Sequence, residues 1–410
     1  MGHYASRSRL CELVLDDEYW GVYVLMEKIK RDKNRVDIAT LTPDETTGDD
    51  LTGGYIIKID KWDGEQLGGW ESAIRPYPGA EQSIYYQFHY PKPNDIVWQQ
   101  MDYIQDYIAT FESLMSRSDY NDPVKGYPSI IDVDSFIDYF IANEIAKNVD
   151  AYRLSAFMYK DRDSNGGQLT IGPVWDFNLC YGNADYYDGA TTDVWELAYL
   201  TENPEFLQDD WFQVPFWWRK LFDDPAFMVI VADRWQELGD DVFYIPTILA
   251  TIDSLVTLLD EAQVRNFEKW PVLDEYVWPN AYIGGTYEAE IDTLKNWIAA
   301  RIDWMEDQLL GTTSHSTPDH YRLLQNYPNP FNRATTLRFE LPHTTSVRLT
   351  IYDLQGREII RLVDGKIPAG MQKFIWHGYN ATGRELPSGL YIARIVTPEY
   401  SESIKMLLLK

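Results

Sequence analysis

Two aspartates stand where the chain leaves a regular element, and both could take part in chemistry. Asp150 follows the apolar helical segment 133–148, and Asp176 follows the apolar run IGPVW. A carboxylate at the end of an element can be rigidly held and still face a cleft. Two such carboxylates suit phosphoryl transfer, in which one orients or deprotonates the acceptor hydroxyl and the other holds Mg²⁺ against nucleotide phosphates. The alternative is that both only stabilise turns, where aspartate is common.

The spacing around these aspartates resembles that of protein kinases. In kinases a catalytic Asp is followed five positions later by a metal-binding Asn, and further on by an Asp-Phe-Gly segment. Here Asp150 is followed five positions later by Ser155, then by the turn formers DRDSNGGQ, then by Asp176-Phe177-Asn178. A serine hydroxyl is a poorer Mg²⁺ ligand than an amide oxygen, so Asn178 is a second candidate for that role.

The elements that must position these residues change in character along the chain. Two β-rich runs, 11–15 and 22–26, predict a hairpin, and residues 54–59 predict a third strand with Lys58 near its end. Apolar residues at helical spacing predict the following helices: 95–116, 133–148, 227–238, 245–262 and 290–310. We therefore predict an α+β protein with a β-rich N-lobe and connecting helix in residues 1–125 and a helical C-lobe in residues 126–310.

The last hundred residues have a different pattern. Residues 311–320 (GTTSHSTPDH) are polar and rich in Ser and Thr, which is typical of a linker. Beyond them, apolar and polar residues alternate in four segments: TTLRFEL, SVRLTIYDL, QKFIWHGY and GLYIARIV. This alternation predicts a small all-β, Ig-like sandwich in residues 321–410.

Composition excludes several classes of protein. The chain has 36 Lys and Arg against 64 Asp and Glu, a formal charge of −28, so nucleic acid is not an expected partner. No run of 18 apolar residues predicts a membrane-spanning segment. P-loop enzymes, serine hydrolases and zincins are disfavoured, because GxxxxGK[ST], GxSxG and HExxH are absent. Cys11 and Cys180 lack a metal-binding spacing, and we predict two buried free thiols.

The C-terminal segment resembles a known sorting domain. The segments QNYPNPFN (325–332), YDLQGRE (352–358), PSGLY (387–391) and KMLLLK (405–410) resemble the C-terminal domain of type IX secretion cargo. The resemblance implies a secreted or cell-surface protein whose partner is the type IX secretion machinery. Such cargo normally begins with a signal peptide, which residues 1–10 do not resemble, so we expect an upstream portion.

The rest of the chain resembles the spore coat protein H (CotH) kinase family. The stretches that carry the resemblance are YWGVYVLMEKIKRDKNRVDI (19–38), GGYIIKIDK (53–61), IDVDSFIDYFIANEIAKNVDAYRLSAFMYKD (131–161) and GPVWDFNLCYGNADYY (172–187). The resemblance implies a divergent two-lobed protein-kinase-like fold that binds ATP with Mg²⁺ or Mn²⁺ and phosphorylates protein hydroxyls. The family's upstream glycine turn and lysine-bearing strand are not among these stretches, so we expect the N-lobe to be incomplete and this chain to be inactive if that segment is essential.

The resemblance also implies roles for particular residues. Asp150 would be the catalytic base and Asp176 a metal ligand, with Ser155 beside it. Glu27 would pair with a nucleotide-binding lysine, and Lys58 would contact phosphate. A solvated ion pair on a strand is the alternative explanation of the last two.

Two other functions stay open at this point. One is a non-catalytic cell-surface binding or structural protein with a degenerate kinase-like domain, because ATP is scarce outside cells. The other is a carbohydrate-binding or carbohydrate-cleaving module, suggested by 15 Trp and 29 Tyr. The latter would need two carboxylates at the separation found in glycosidases.

Overall fold

The computed structural model divides the chain into two compact units, Met1–Leu310 and Gly311–Lys410. It describes residues 1–62, 68–202, 207, 210–239, 241–310, 321–323, 326, 331 and 335–408. The predicted linker 311–320 and most of the segment 325–332 lie outside the described residues.

The predicted N-terminal hairpin is confirmed. Strands β1 (Ser8–Leu15) and β2 (Glu18–Met26) pair in antiparallel fashion around a turn at Asp16 and Asp17. Both aspartates have positive φ, which short polar side chains tolerate better than most.

The first unit contains a five-stranded antiparallel sheet. In the described part of this unit, the strand order is β4-β5-β3-β6-β7. The strands are β3 (Tyr55–Ile59), β4 (Gly69–Glu71), β5 (Tyr85–Tyr90), β6 (Ala156–Lys160) and β7 (Leu169–Ile171). Because β3 pairs with β6, strands from both sides of the predicted lobe boundary at residue 125 share one sheet.

Side chains of β3 alternate between two cores, as the two-residue period of a strand requires. Tyr55, Ile57 and Ile59 belong to the main core. Ile56 instead packs in a small cluster that includes Phe157. Lys58 therefore lies on the face of Ile56, away from the main core.

Helices pack against this sheet and against one another. They are α1 (Gly48–Leu51), α2 (Trp98–Met115), α3 (Val133–Ala146), α4 (Glu196–Glu202), α5 (Phe216–Phe222), α6 (Pro225–Gly239), α7 (Ile245–Leu258), α8 (Asp260–Lys269) and α9 (Tyr287–Leu310). The prediction of a single helix over 245–262 is wrong, because the helix is interrupted at Leu259. Asp260 and Glu261 follow, acidic residues that favour the start of a new helix.

The cysteines are both free, but only one is buried. Cys180 is buried as predicted, whereas Cys11 is exposed, so the prediction of two buried thiols is wrong for Cys11. Cys11 lies in β1, and the two-stranded sheet leaves most of its side chains in solvent.

The second unit is all-β within the described residues. Its strands are β8 (Arg322–Leu323), β9 (Thr335–Leu341), β10 (Thr345–Tyr352), β11 (Glu358–Ile367), β12 (Gly370–Trp376), β13 (Gly389–Val396) and β14 (Ser401–Leu408). They form two sheets, β11-β10-β13-β14 and β12-β9-β8, around one hydrophobic core. The predicted α+β protein with a small all-β domain is confirmed. Across the described ranges, no helix combines the length and apolar character needed to cross a membrane.

Candidate functional site

The end of α3 fixes the turn that carries Asp150. The helix stops at Lys147, which adopts a left-handed conformation with φ of 45°. Its buried ammonium lies 2.7 Å from the Asp188 Oδ2 and donates to the backbone oxygen of Asp193. Burial lowers the pKa of Lys147, and the Asp188 carboxylate opposes that shift. This anchored lysine fixes the end of α3, three residues before Asp150.

Asp150 is a nearly buried carboxylate between two cations. It is 9% exposed, and its Oδ1 accepts a hydrogen bond of 3.1 Å from Arg153 Nη2. The Nζ of Lys61 lies 3.9 Å from its Oδ2. The other arm of Arg153 donates to Asp210 Oδ2 at 2.7 Å. Burial raises the pKa of Asp150, while the positive charges of Arg153 and Lys61 lower it.

Asp176 is electrostatically linked to Asp150. The negative charge of Asp176 is one of the causes that raise the pKa of Asp150, so the two carboxylates are near enough to interact electrostatically. Asp176 is exposed and has φ of 65°, a conformation that costs energy in a residue other than glycine. Asn178, two residues later, is also exposed.

Lys58 and Ser155 are brought together by a residue that the sequence did not single out. Asp60 Oδ2 lies 3.1 Å from Lys58 Nζ. Asp60 Oδ1 accepts hydrogen bonds from Ser155 N at 3.3 Å and from Ser155 Oγ at 3.4 Å. Ser155 has φ of 49°, so this carboxylate supports a strained backbone position.

Glu27 lies in an arginine-rich setting. Its carboxylate accepts hydrogen bonds of 3.0 and 2.9 Å from Arg7 and one of 3.4 Å from Arg35. The hydrogen bonds from Arg7 are the main reason why its pKa falls to about 2. The predicted pairing of Glu27 with a nucleotide-binding lysine stays a prediction.

Comparison with known families identifies the first unit. The CotH kinase protein family matches residues 1–305, which is more than half of the chain. The chain belongs to the CotH kinase protein family. The predicted family relationship is confirmed, and it supports a kinase-like protein.

The second unit of this CotH-family chain matches a different family. The FlgD Ig-like domain matches residues 329–398, which confirms the Ig-like character of the all-β unit. Comparison with curated proteins found no match. The role of this unit in sorting stays a prediction.

Solved structures resemble only parts of the chain. PorZ, a surface component of the type-IX secretion system of Porphyromonas gingivalis, is 22% identical over 24% of this chain and 13% of PorZ, with a TM-score of 0.17. Latent PorU from the same organism is 21% identical over 22% of this chain and 9% of PorU, with a TM-score of 0.19. FlgD from P. aeruginosa is 23% identical over 18% of this chain and 64% of FlgD, with a TM-score of 0.16. The chain thus spans only a small part of PorZ and PorU.

Two residues of the candidate site carry oxygen donors that suit a divalent metal. Asp176 and Asn178 offer exposed oxygen donors, the ligand type that Mg²⁺ prefers. Among the described residues, no group of three or more His, Cys, Asp or Glu could hold a metal. Mg²⁺ does not need such a group, because it commonly uses one or two carboxylates and completes its shell with water and phosphate oxygens.

Four charged residues of the site were missed by sequence reasoning: Lys61, Asp60, Arg153 and Asp210. Asp60 and Lys61 follow the end of β3 directly, so the element-end argument used for Asp150 could have found them. Asp210 carried no such signal, since its contact with Arg153 joins residues 57 positions apart.

Proposed function

We propose that this CotH-family chain is an atypical protein kinase that transfers the γ-phosphoryl group of ATP to protein hydroxyl groups. The observation that supports this function is Asp150, a nearly buried carboxylate between Arg153 and Lys61 and electrostatically linked to Asp176. Buried carboxylates with raised pKa values beside a second carboxylate are typical of acid–base sites.

Each carboxylate has a separate role in the proposed reaction. Asp150 accepts the proton of the acceptor hydroxyl while a bond forms between the acceptor oxygen and the γ-phosphorus. The bond from that phosphorus to the β–γ bridging oxygen breaks, and ADP leaves. Asp176, assisted by Ser155 or Asn178, would hold Mg²⁺ or Mn²⁺, which when bound neutralises charge on the phosphates. Lys58 would contact phosphate on the nucleotide.

Calorimetric titration with ATP in the presence of Mg²⁺ or Mn²⁺ tests the proposal. We expect binding by the unaltered chain and loss of metal-dependent binding in Asp176→Ala. The exposed Asp274 provides a matched control, because Asp274→Ala removes the same group far from the site in sequence. In Asp150→Asn, binding should persist while the rate of transfer falls by about 10²- to 10⁴-fold. Absence of binding with either metal would instead favour a non-catalytic surface protein.

We further propose that the protein is exported by type IX secretion. The segments that suggest this are built into the second unit as tight local structures. Asp353 accepts hydrogen bonds from the backbone of Gln355 and Arg357 and from the Arg357 side chain. The Tyr391 hydroxyl donates to the Pro387 oxygen at 2.9 Å. These contacts make both segments ordered parts of the folded domain, which supports their recognition in the folded state.

Fusion of residues 321–410 to a periplasmic reporter tests the export proposal. In a bacterium that has a type IX system, we expect the reporter at the cell surface or in the medium. A fusion that lacks β14 should stay in the periplasm. Equal export of both fusions, or export of neither, would contradict the proposal.

A further inference from the structure

The two residues after β3 contact both ends of the loop that runs from Asp150 to Ser155. Asp60 accepts hydrogen bonds from Ser155, at the end of the loop. Lys61 places its ammonium 3.9 Å from Asp150, at the start of the loop. Asp60 also accepts a 2.9 Å hydrogen bond from the backbone N–H of Lys61 and forms an ion pair with Lys58. One short segment thus connects the strand with the proposed catalytic loop.

The two cations beside Asp150 differ in how they are held. The Arg153 side chain is 2% exposed and is fixed by Asp150, Asp210 and the backbone oxygen of Val149. The Lys61 side chain is 66% exposed, and its distance to Asp150 exceeds that of a hydrogen bond. Such exposed pairs contribute little to stability, so stabilisation of the fold is a weak explanation for Lys61.

Phosphoryl transfer offers a stronger explanation. As the acceptor proton moves to Asp150, that carboxylate loses its negative charge, while charge is distributed over the oxygens of the transferring group. An ammonium within reach is then stabilised more by the charge on the phosphoryl oxygens than by Asp150. Lysine suits this change of partner, because its three donors rotate on a flexible stem.

We propose that Lys61 is a catalytic residue that contacts the transferred phosphoryl group, and that Asp60 is a positioning residue that holds Lys58, Lys61 and Ser155 in place. This inference rests on the proposed kinase function. It adds a cation that comes from the end of β3 and not from the loop that carries Asp150.

Labelling with an acyl phosphate of ATP tests the position of Lys61 without requiring activity. A nearby lysine amine attacks the acyl carbon, an amide forms, the acyl–phosphate bond breaks and ATP leaves. We expect mass spectrometry of the full chain to find the label on Lys61, with protection by excess Mg²⁺ and ATP. Lys125, which is 63% exposed and also paired with an aspartate, is the matched control and should show no ATP-protected label. Protected label on Lys58 without label on Lys61 would overturn the inference.

Kinetics of ATP hydrolysis test the role of Lys61, with water in place of the unidentified acceptor. We expect Lys61→Ala to lower kcat by about 100-fold, in line with the loss of one transition-state contact, with KM for ATP nearly unchanged. Lys61→Arg should recover much of the rate, and Lys125→Ala should match the unaltered chain. The acid limb of the Lys61→Ala profile should also move to higher pH, because a cation that lowers the pKa of Asp150 is lost while Arg153, Asp176 and Asp210 remain.

These outcomes separate the inference from the proposed function. An unaltered rate and pH profile in Lys61→Ala, with activity still abolished by Asp150→Asn, would overturn only the role of Lys61. A chain that neither hydrolyses ATP nor accepts the acyl label would overturn both proposals.

Variants of Asp60 test its positioning role. In Asp60→Asn the amide oxygen can still accept hydrogen bonds from Ser155 and Lys61, but the negative charge that pairs with Lys58 is lost. We therefore expect weaker Mg²⁺-dependent ATP binding in Asp60→Asn with most of kcat retained, and a further fall in kcat in Asp60→Ala. Equal kinetics in the two variants would contradict positioning through these hydrogen bonds.

Discussion

At Asp150, charges of opposite sign act on one carboxyl group. Burial, Asp176 and Asp210 raise its pKa, whereas Arg153 and Lys61 lower it. A general base must be ionised to accept a proton, so activity should fall as the pH is lowered through this raised pKa. We expect the acid limb of the pH–rate profile above the ordinary aspartate value of 3.8.

Replacement of Asp210 should shift the acid limb of the pH–rate profile to lower pH. In Asp210→Asn a negative charge near Asp150 is lost, and Arg153 keeps only one carboxylate partner. Both effects favour the ionised form of Asp150, so the acid limb of ATP hydrolysis should shift to lower pH. Asp274→Asn, at an exposed position, serves as the control. A shift to higher pH, or none, would show that Asp210 does not act on the base.

The sequence could identify the carboxylates, and Lys61 by its place after β3, but not which charged groups lie beside Asp150 in the fold. Asp150 and Asp176 were recognisable because each follows an apolar element and matches a family stretch. Arg153 is only three residues from Asp150, but the distance from Lys61 to Asp150 is fixed only when β3 pairs with β6. Local sequence patterns contain no information about such strand pairings, so only the structure shows that Lys61 acts on the pKa of Asp150.

Between elements, α3 and α9 are joined by a buried ion pair. Arg301 and Glu144 are both fully buried, and Arg301 Nη2 lies 3.1 Å from Glu144 Oε2. Arg301 Nε also donates to the Glu144 backbone oxygen at 2.8 Å, and the Glu144 carboxylate accepts from the backbone of Glu196 and Leu197. This contact therefore connects α3, α4 and α9.

Removal of one partner of that pair should strongly destabilise the first unit. In Arg301→Met the Glu144 carboxylate loses its buried cation, and the free energy of unfolding should fall by about 3–5 kcal/mol. Urea denaturation followed by far-UV circular dichroism measures this, since the described helices all lie in the first unit. Arg117→Met, at an exposed pair with Asp119, should cost about 1 kcal/mol or less. Similar losses in the two variants would contradict the importance of burial.

The hairpin β1–β2 is attached to α8 at a position that requires glycine. Gly21 has φ of 115°, and a Cβ there would lie 2.7 Å from Asn266 Oδ1. That same oxygen accepts a 2.9 Å hydrogen bond from Val22 N, and Trp270 Nε1 donates to the Trp20 oxygen at 2.8 Å. The sequence predicted the hairpin from local pattern but not this attachment, which joins residues about 250 positions apart.

A methyl group at Gly21 should therefore loosen the hairpin. In Gly21→Ala we expect faster amide hydrogen exchange in residues 8–26, because the strained φ and the close contact with Asn266 both oppose docking. Exchange in α3 should be unchanged. Gly239→Ala, at a position where a Cβ meets nothing within 4 Å, is the matched control. Unaltered exchange of the hairpin would show that α8 does not hold it.

For the whole molecule, each of the two units has a hydrophobic core of its own. The main core draws on residues from Leu41 to Met305, and the core of the second unit on residues from Leu323 to Leu408. The boundary was predictable from sequence, because the apolar period changes from helical to alternating across a polar stretch. The five-stranded sheet of the first unit was not predictable from sequence. Each half of the predicted kinase-like domain contributes strands to it, and their pairing is non-local.

A chain that ends at Leu310 should fold and bind ATP as the full chain does. The cut leaves the whole of α9 and every residue of the main core in place. We expect the melting temperature of the first unit to stay within about 2 °C of its value in the full chain, since all residues of its core are retained. A chain that ends at Asn296 is the control, because it lacks the buried face of α9 that includes Trp297, Arg301 and Met305, and it should not fold. Loss of Mg²⁺-dependent ATP binding on removal of residues 311–410 would mean that the second unit contributes to the nucleotide site, whereas retained binding would assign the proposed chemistry to the first unit alone.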